Sequence, residues 1–96
     1  MNVRVEQATR PTADTVGIEI GEFLSERLNT AVDAEQDLFA SGLISSMFAM
    51  ELVVHLEQSY GIAVVGRDLK LDNFRSVRRM TDLVLRLRDA PATEDV

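Results

Sequence analysis

Three segments of this 96-residue chain repeat apolar residues with the period of an α-helix, and this pattern constrains the fold most. They cover residues 12–29, 45–60 and 77–88. The inward positions of the first segment are Val16, Ile20, Phe23, Leu24 and Leu28. Those of the second are Ala49, Leu52, Val53, Leu56 and Tyr60. Those of the third are Val77, Met80, Leu83, Val84 and Leu87.

The connection between the second and third segments contains one more short element. Residues 62–65 are apolar, but no second strand of matching pattern exists, so we expect an extended link. Arg67 to about Leu71 suits a short helical turn with Leu69 pointing inward, ended by Asp72 and Asn73. The sequence therefore predicts an all-α fold: a small four-helix bundle with three main helices, one short helix and a long first loop.

The chain length fits a single domain. We expect a flexible N-terminal tail over residues 1–11, the helical bundle over residues 12–88 and a flexible C-terminal tail over residues 89–96. Residues 30–45 form the long first loop, which carries apolar side chains and should therefore pack onto the bundle. We expect this loop to be the most mobile ordered part of the protein.

Composition excludes several kinds of chemistry. The chain has no cysteine and one histidine, so disulfides, thiolate metal sites and cysteine catalysis are ruled out. His55 has no partners for a catalytic triad, so we interpret it as a solvated helix residue. We predict neither catalytic residues nor a metal site. The first residues do not resemble a signal peptide, and no apolar stretch is long enough to span a bilayer, which favours a cytoplasmic protein without membrane contact.

The charge is uneven along the chain. The formal net charge is −6; residues 1–66 hold 10 acids and 3 bases, whereas residues 67–96 hold 6 acids and 7 bases. An acidic majority argues against nucleic acid, which needs a basic footprint, and favours basic protein partners. A monomer is expected. Charged side chains in the loop and near the third helix are interpreted as solvated; they are Asp33, Glu35, Asp37, Arg75, Arg78, Arg79, Arg86 and Arg88.

The second segment carries a second apolar stripe. Met47, Met50 and Val54, with the stem of Glu57, lie on a different face from its inward positions. Both stripes cannot face the centre of a small bundle. We therefore expect the second stripe to be partly exposed.

Several motifs occur in a fixed order around this segment. They are Asp37-Leu-Phe, Gly42-Leu, Ser46-Met, Tyr60-Gly-Ile and Asn73-Phe-Arg-Ser-Val77. Together they resemble the phosphopantetheine attachment region of acyl and peptidyl carrier proteins. The resemblance extends from about Val16 to Leu87, and it implies a carrier that is not itself an enzyme.

By this resemblance Ser46 is the attachment residue of a covalent 4'-phosphopantetheine arm derived from coenzyme A. The implied partners are a phosphopantetheinyl transferase and the enzymes that load and accept the acyl group as a thioester. A serine at a helix start also suits a phosphate, which free N–H groups and the helix dipole favour. Two residues depart from the family pattern: Ser45 stands where Asp is usual, and Phe48 stands where a polar residue is frequent.

The resemblance also gives the second stripe a use. In carrier proteins the corresponding helix face docks on partner enzymes, which implies docking by Met47, Met50, Glu51, Val54 and Glu57. Methionine suits a surface that meets several partners because its side chain adapts to different shapes.

The sequence is compatible with more than one kind of acyl group as the cargo of the arm. Residues 45–50 resemble free-standing carriers of unusual malonyl-type extender units in polyketide biosynthesis, and a D-alanyl or other aminoacyl carrier is the nearest alternative. An unmodified helical interaction module, in which Ser46 only caps a helix, is the alternative outside the family.

Overall fold

A computed structural model describes residues 12–89 of the chain. The predicted tail over residues 1–11 lies outside the described residues, as does all but the first residue of the predicted tail over 89–96. The described part contains helices α1 (Ala13–Leu28), α2 (Ser46–Tyr60) and α3 (Val77–Asp89) and no strand. None of these helices is long and apolar enough to cross a membrane. The all-α prediction is confirmed.

Side chains at the helix ends explain where each helix begins and stops. Thr12 precedes α1, and its Oγ1 accepts the N–H of Thr15 at 3.2 Å. Ser76 precedes α3, and its Oγ accepts the N–H of Arg79 at 3.1 Å. Asn29 and Gly61 end α1 and α2 with φ of 55° and 64°, the left-handed conformation in which a helix commonly stops. The predicted boundaries therefore hold to within a residue or two.

The core is aliphatic and lies between the three helices, with α1 packed mainly on α3. All five inward residues predicted for α2 are buried. The inward residues predicted for α1 and α3 are also buried, except Phe23, Leu28 and Leu87, which are partly buried. The loop and the second connection also contribute to the core. Their buried apolar residues are Leu38, Ile44, Val64 and Phe74.

The short helix between α2 and α3 differs from its prediction. Residues 62–65 form neither helix nor strand, and Val65 has the extended backbone that was expected, but two 3₁₀ turns follow, Gly66–Asp68 and Leu71–Phe74. The break falls between them, at Leu69 and Lys70, and not at Asp72 and Asn73. Leu69 is 45% exposed, so its predicted inward orientation is wrong. Phe74, 1% exposed, fills the core position of this connection instead.

Candidate functional site

The start of α2 presents the predicted attachment serine. Ser46 is the first residue of the helix, and its side chain is exposed, as are those of Ser45 and Met47. Ser45 is the N-cap, because its Oγ accepts the N–H of Phe48 at 3.2 Å and its carbonyl accepts that of Ala49 at 3.0 Å. The capping role therefore belongs to Ser45, which leaves the hydroxyl of Ser46 available for other chemistry.

The first turn of α2 suits an attached phosphate. The first N–H groups of an α-helix have no acceptor within the helix, and only that of Phe48 is satisfied by the cap. The N–H groups of Ser46 and Met47 stay available at the positive end of the helix dipole. No acidic side chain lies in this turn, so none repels a phosphodiester there.

The loop before α2 is held by backbone hydrogen bonds that converge on Leu38. Its N–H donates to the carbonyl of Arg75 at 2.7 Å, and its carbonyl accepts the N–H groups of Leu43 and Ile44 at 3.0 and 3.2 Å. The side chains of Leu38 and Ile44 are buried. Gly42 has a φ of 79°, which allows the chain to turn just before these contacts. These bonds fix the backbone one residue before the Ser45 cap.

Asp37 joins this loop to the connection before α3. Its Oδ1 accepts the N–H groups of Phe39 and Ala40 at 3.1 and 2.9 Å, and its Oδ2 accepts Nη1 of Arg75 at 3.1 Å. The N–H of Ala40, followed by the Arg75 guanidinium, lowers the pKa of the Asp37 carboxyl below its usual 3.8. The interpretation of Asp37 as only a solvated charge is therefore wrong.

The arginines around α3 also have structural partners. Arg78 pairs with Glu35 at 2.9 Å, and Arg86 pairs with Asp68 at 3.0 Å. The remaining contacts join Arg75 and Arg79 to Asp72, at 2.9 and 2.6 Å, and Arg88 to the carbonyl of Tyr60, at 2.8 Å. The predicted solvated arginine face is thus a set of links between α3 and both connections. The sequence signal for these contacts is the motif Asn73-Phe-Arg-Ser-Val77, in which Arg75 directly follows the buried Phe74.

Aromatic side chains and Arg27 form a cluster beside the start of α2. His55 stacks on Phe23 with ring centroids 3.6 Å apart and 8° between the ring planes. Arg27 lies over the rings of Phe23 and Phe48, at 5.4 and 5.2 Å from their centroids, and donates to Glu51 at 2.7 Å. His55 is half-buried, so its interpretation as a solvated residue is wrong. The sequence did not predict whether Phe48 is buried; its side chain is half-buried beneath Arg27.

Burial and the charge of Arg27 lower the pKa of His55 below its usual 6.5, in that order of importance. The imidazole therefore stays neutral at pH 7 and contributes to packing. No group of three or more histidine, cysteine, aspartate or glutamate side chains within residues 12–89 is arranged to hold a metal ion.

Four of the five predicted docking residues, Met47, Met50, Glu51 and Val54, are exposed along α2, and Glu57 is half-buried. Met47, Met50 and Val54 are 78%, 54% and 50% exposed. Glu51 pairs with Arg27, and Oε2 of Glu57 accepts the N–H of Val64 at 2.9 Å. Both carboxylates thus have partners within the bundle, which sequence reasoning did not detect.

This geometry agrees with the comparisons to known proteins. A family model described as the phosphopantetheine attachment site matches residues 19–84. D-alanyl carrier proteins of Streptococcus gordonii and Streptococcus sanguinis are 31% identical to this chain over 71 residues, and that of Streptococcus mutans is 30% identical. Each alignment covers 74% of this chain and 87% of the relative.

The exposed serine at the capped start of α2, together with the family match over residues 19–84, identifies a carrier domain, a class that binds its prosthetic group covalently and is not itself an enzyme. The chain belongs to the acyl carrier protein family, whose prosthetic group is a covalently attached 4'-phosphopantetheine.

Proposed function

We propose that the protein carries an acyl group as a thioester on a 4'-phosphopantetheine arm attached to Oγ of Ser46. The observation that carries this proposal is the different placement of two neighbouring serines at the start of α2. Ser45 caps the helix, while Ser46 is exposed next to available N–H groups. The arm supplies the terminal thiol that forms the thioester.

A phosphopantetheinyl transferase would form the link between arm and protein. The Ser46 hydroxyl oxygen attacks the β-phosphorus of coenzyme A, the pyrophosphate bond breaks, and adenosine 3',5'-bisphosphate leaves with the electron pair. The hydroxyl proton passes to a base. The bundle then keeps the cargo at a high effective concentration near each enzyme that docks on it.

The cargo we favour is a small aminoacyl group, with D-alanine as the first candidate. The support is the similarity to D-alanyl carrier proteins over most of the domain. A malonyl-type extender unit for polyketide assembly is the second candidate, supported by the resemblance of residues 45–50. Cytoplasmic action is part of the same proposal.

The attachment is tested by co-expression with a broad-specificity phosphopantetheinyl transferase, followed by mass spectrometry of the intact protein. We expect the wild-type chain to gain one arm and Ser46→Ala to gain none. Ser45→Ala is the matched control: it should lose about 1 kcal/mol of stability with the cap but still accept the arm. Absence of a mass gain in the wild-type chain with any transferase would favour an unmodified interaction module.

The cargo is tested by incubating the arm-bearing protein with ATP and a D-alanine-activating ligase. We expect a further mass gain of one alanyl group, removable by hydroxylamine because thioesters react with it. In a parallel reaction, a malonyl-transferring enzyme with its substrate replaces the D-alanine ligase. Loading by that enzyme with no loading by the D-alanine ligase would replace the aminoacyl assignment with the extender-unit assignment.

A further inference from the structure

A groove runs between α1 and α3, and the loop before α2 closes one of its sides. It consists of two adjoining depressions with volumes of about 620 and 520 Å³, which share Gly17, Ile18, Ala34 and Val77. Among the described residues, none of α2 and none of the connection before α3 lines either depression. This α1–α3 groove is therefore separate from the start of α2, where Ser46 lies.

The floor of the α1–α3 groove is built from small and apolar residues. Gly17 and Gly21 lie one turn apart on α1, and a Cβ at Gly21 would meet no atom within 4 Å. Ile18 and Val32 line the same depression, and Ile18 is 60% exposed. Glycines let another backbone approach closely, and the exposed isoleucine offers an apolar contact to whatever lies there. The floor therefore has the character of a packing surface.

Four exposed carboxylates, which we call the acidic rim, border this floor. They are Asp14, Glu22 and Glu26 on α1 and Asp82 on α3. The three carboxylates on α1 form no ion pair within residues 12–89. The groove thus combines an apolar floor with a rim of negative charge.

The cations of the described residues near the groove are engaged by other acids. Arg78 lines the groove and pairs with Glu35 at 2.9 Å, and its Nε lies 4.0 Å from Asp82. Arg27, in the last turn of α1, pairs instead with Glu51 on α2 at 2.7 Å. Four carboxylates against one guanidinium give the described lining a net charge of −3. The negative charge of the rim is therefore not compensated within residues 12–89.

The walls of the groove favour a helical occupant. The backbone N–H and C=O groups along α1 and α3 are paired within those helices, so an extended segment would find few backbone partners there. A helix satisfies its own backbone groups. Asp14 and Glu26 are twelve residues apart on α1, which corresponds to about 18 Å. About three and a half turns of a second helix would therefore cover the rim.

We propose that the α1–α3 groove binds a basic amphipathic helix of a partner protein. The apolar edge of that helix packs on the glycine floor, and its Lys or Arg side chains pair with the acidic rim. Charge complementarity selects this partner, because like charge repels a second copy of this acidic chain. Since no residue of α2 lines the groove, the partner can hold the domain while Ser46 stays accessible to an enzyme. The proposal goes beyond the carrier function and does not depend on it.

The test measures binding of a synthetic, fluorescently labelled helix of about 15 residues to the full-length chain by fluorescence anisotropy. The probe carries alanine and leucine along one edge and three lysines beside that edge. The lysines are spaced about four and eight residues apart, as the carboxylates on α1 are. A control peptide of the same composition carries its lysines on the opposite face. We expect the matched peptide to bind about tenfold more tightly, and equal affinities would overturn the inference.

Variants of the chain separate shape from charge. Gly21→Leu should weaken binding about tenfold because the side chain fills the floor, and circular dichroism shows whether the bundle is folded. Glu26→Gln should weaken binding about threefold through the loss of one charge pair. The wild-type affinity in Gly21→Leu would overturn the inference.

Glu19→Gln is the matched control for the charge change. Glu19 lies on α1 but lines neither depression, and glutamine can still accept the hydrogen bond that Tyr60 donates to this position. Its affinity for the matched peptide should stay within about twofold of wild type. Equal losses in Glu19→Gln and Glu26→Gln would indicate attraction by overall charge alone and would overturn the inference.

Two further measurements assign the occupant and its independence from Ser46. Saturating peptide should leave the rate of arm transfer to Ser46 within about twofold, and a larger fall would contradict a separate site. Tighter peptide binding after Arg4→Gln and Arg10→Gln would assign the groove to the first residues of the chain itself and overturn the inference. Peptide binding needs no arm, so its failure and a failure of attachment at Ser46 are distinguishable.

Discussion

Nη1 of Arg75 donates to Oδ2 of Asp37 at 3.1 Å, across 38 residues of sequence. The same guanidinium uses Nε to bind Oδ1 of Asp72 at 2.9 Å. One side chain therefore joins the loop before α2 to the second 3₁₀ turn. The backbone carbonyl of Arg75 adds a third contact by accepting the N–H of Leu38. The approach of the chain to Ser46 thus depends on a residue 29 positions away in sequence.

Replacing Arg75 should loosen the loop more than it unfolds the bundle. In Arg75→Ala we expect faster amide hydrogen exchange at Leu43 and Ile44, because the side-chain contacts to Asp37 and Asp72 are lost. Arg75→Lys should restore part of the protection, since lysine cannot reproduce the two-sided guanidinium contact. Arg78→Ala is the control, because its pair with Glu35 is exposed. Equal exchange in both alanine variants would contradict this role.

The same carboxylates predict a weakening of the fold in acid. The pKa values of Asp37 and Asp72 are lowered, chiefly by the N–H of Ala40 and by a hydrogen bond from Arg75 respectively. A lowered native pKa stabilises the fold above the unfolded value of about 3.8, and the contribution is lost as pH falls below it. Urea unfolding between about pH 5 and 3 should therefore show a steeper loss for wild type than for Asp37→Asn. Parallel curves would exclude this contribution.

His55 predicts a second pH dependence in a higher range. Its native pKa lies below 6.5 because the imidazole is half-buried against Phe23 and lies near Arg27. The unfolded state therefore binds a proton first as pH falls below 6.5, so the free energy of unfolding should decrease there. Proton NMR of the imidazole gives the native pKa, which should rise in Arg27→Gln. A native value above 6.5 in the wild-type protein would show this reasoning to be wrong.

Two glycines of the bundle should respond oppositely to alanine. Gly61 ends α2 at a φ of 64°, so Gly61→Ala should cost about 1 kcal/mol for placing a Cβ in the left-handed region. Gly21 lies inside α1, and a Cβ there meets no atom within 4 Å. Gly21→Ala should therefore add about 0.5–1 kcal/mol through higher helix propensity. Thermal or urea unfolding of both variants gives the two signs, and a destabilised Gly21→Ala would reveal a contact missed at that site.

Periodicity was sufficient for the helices because burial on one face imposes the pattern directly on the sequence. The second stripe of α2 was predictable for the same reason: the inward stripe was complete without Met47 and Met50, so exposure followed. The short connection was harder, because a 3₁₀ turn has too few residues to show a period. Leu69 was predicted to face inward because it is apolar and lies in a short helical turn, but Phe74 is buried in this connection and Leu69 is exposed.

The side-chain partners could not be predicted from sequence. Asp37 and Arg75, or Arg27 and Glu51, are far apart along the chain, and charge alone does not say which acid meets which base. His55 was misinterpreted for a related reason. A single polar residue on a helix gives no sign that an aromatic ring from α1 will cover it.

The hydrogen bonds on Leu38 have a mechanical consequence for a carrier. With the arm attached at Ser46 as proposed, a partner that draws cargo into its active site pulls on the protein at that residue. The neighbouring backbone passes that tension through Ile44 and Leu38 to Arg75, and so to the base of α3. The domain should consequently move with its cargo as one body, and the searching motion between enzymes would come from the tether.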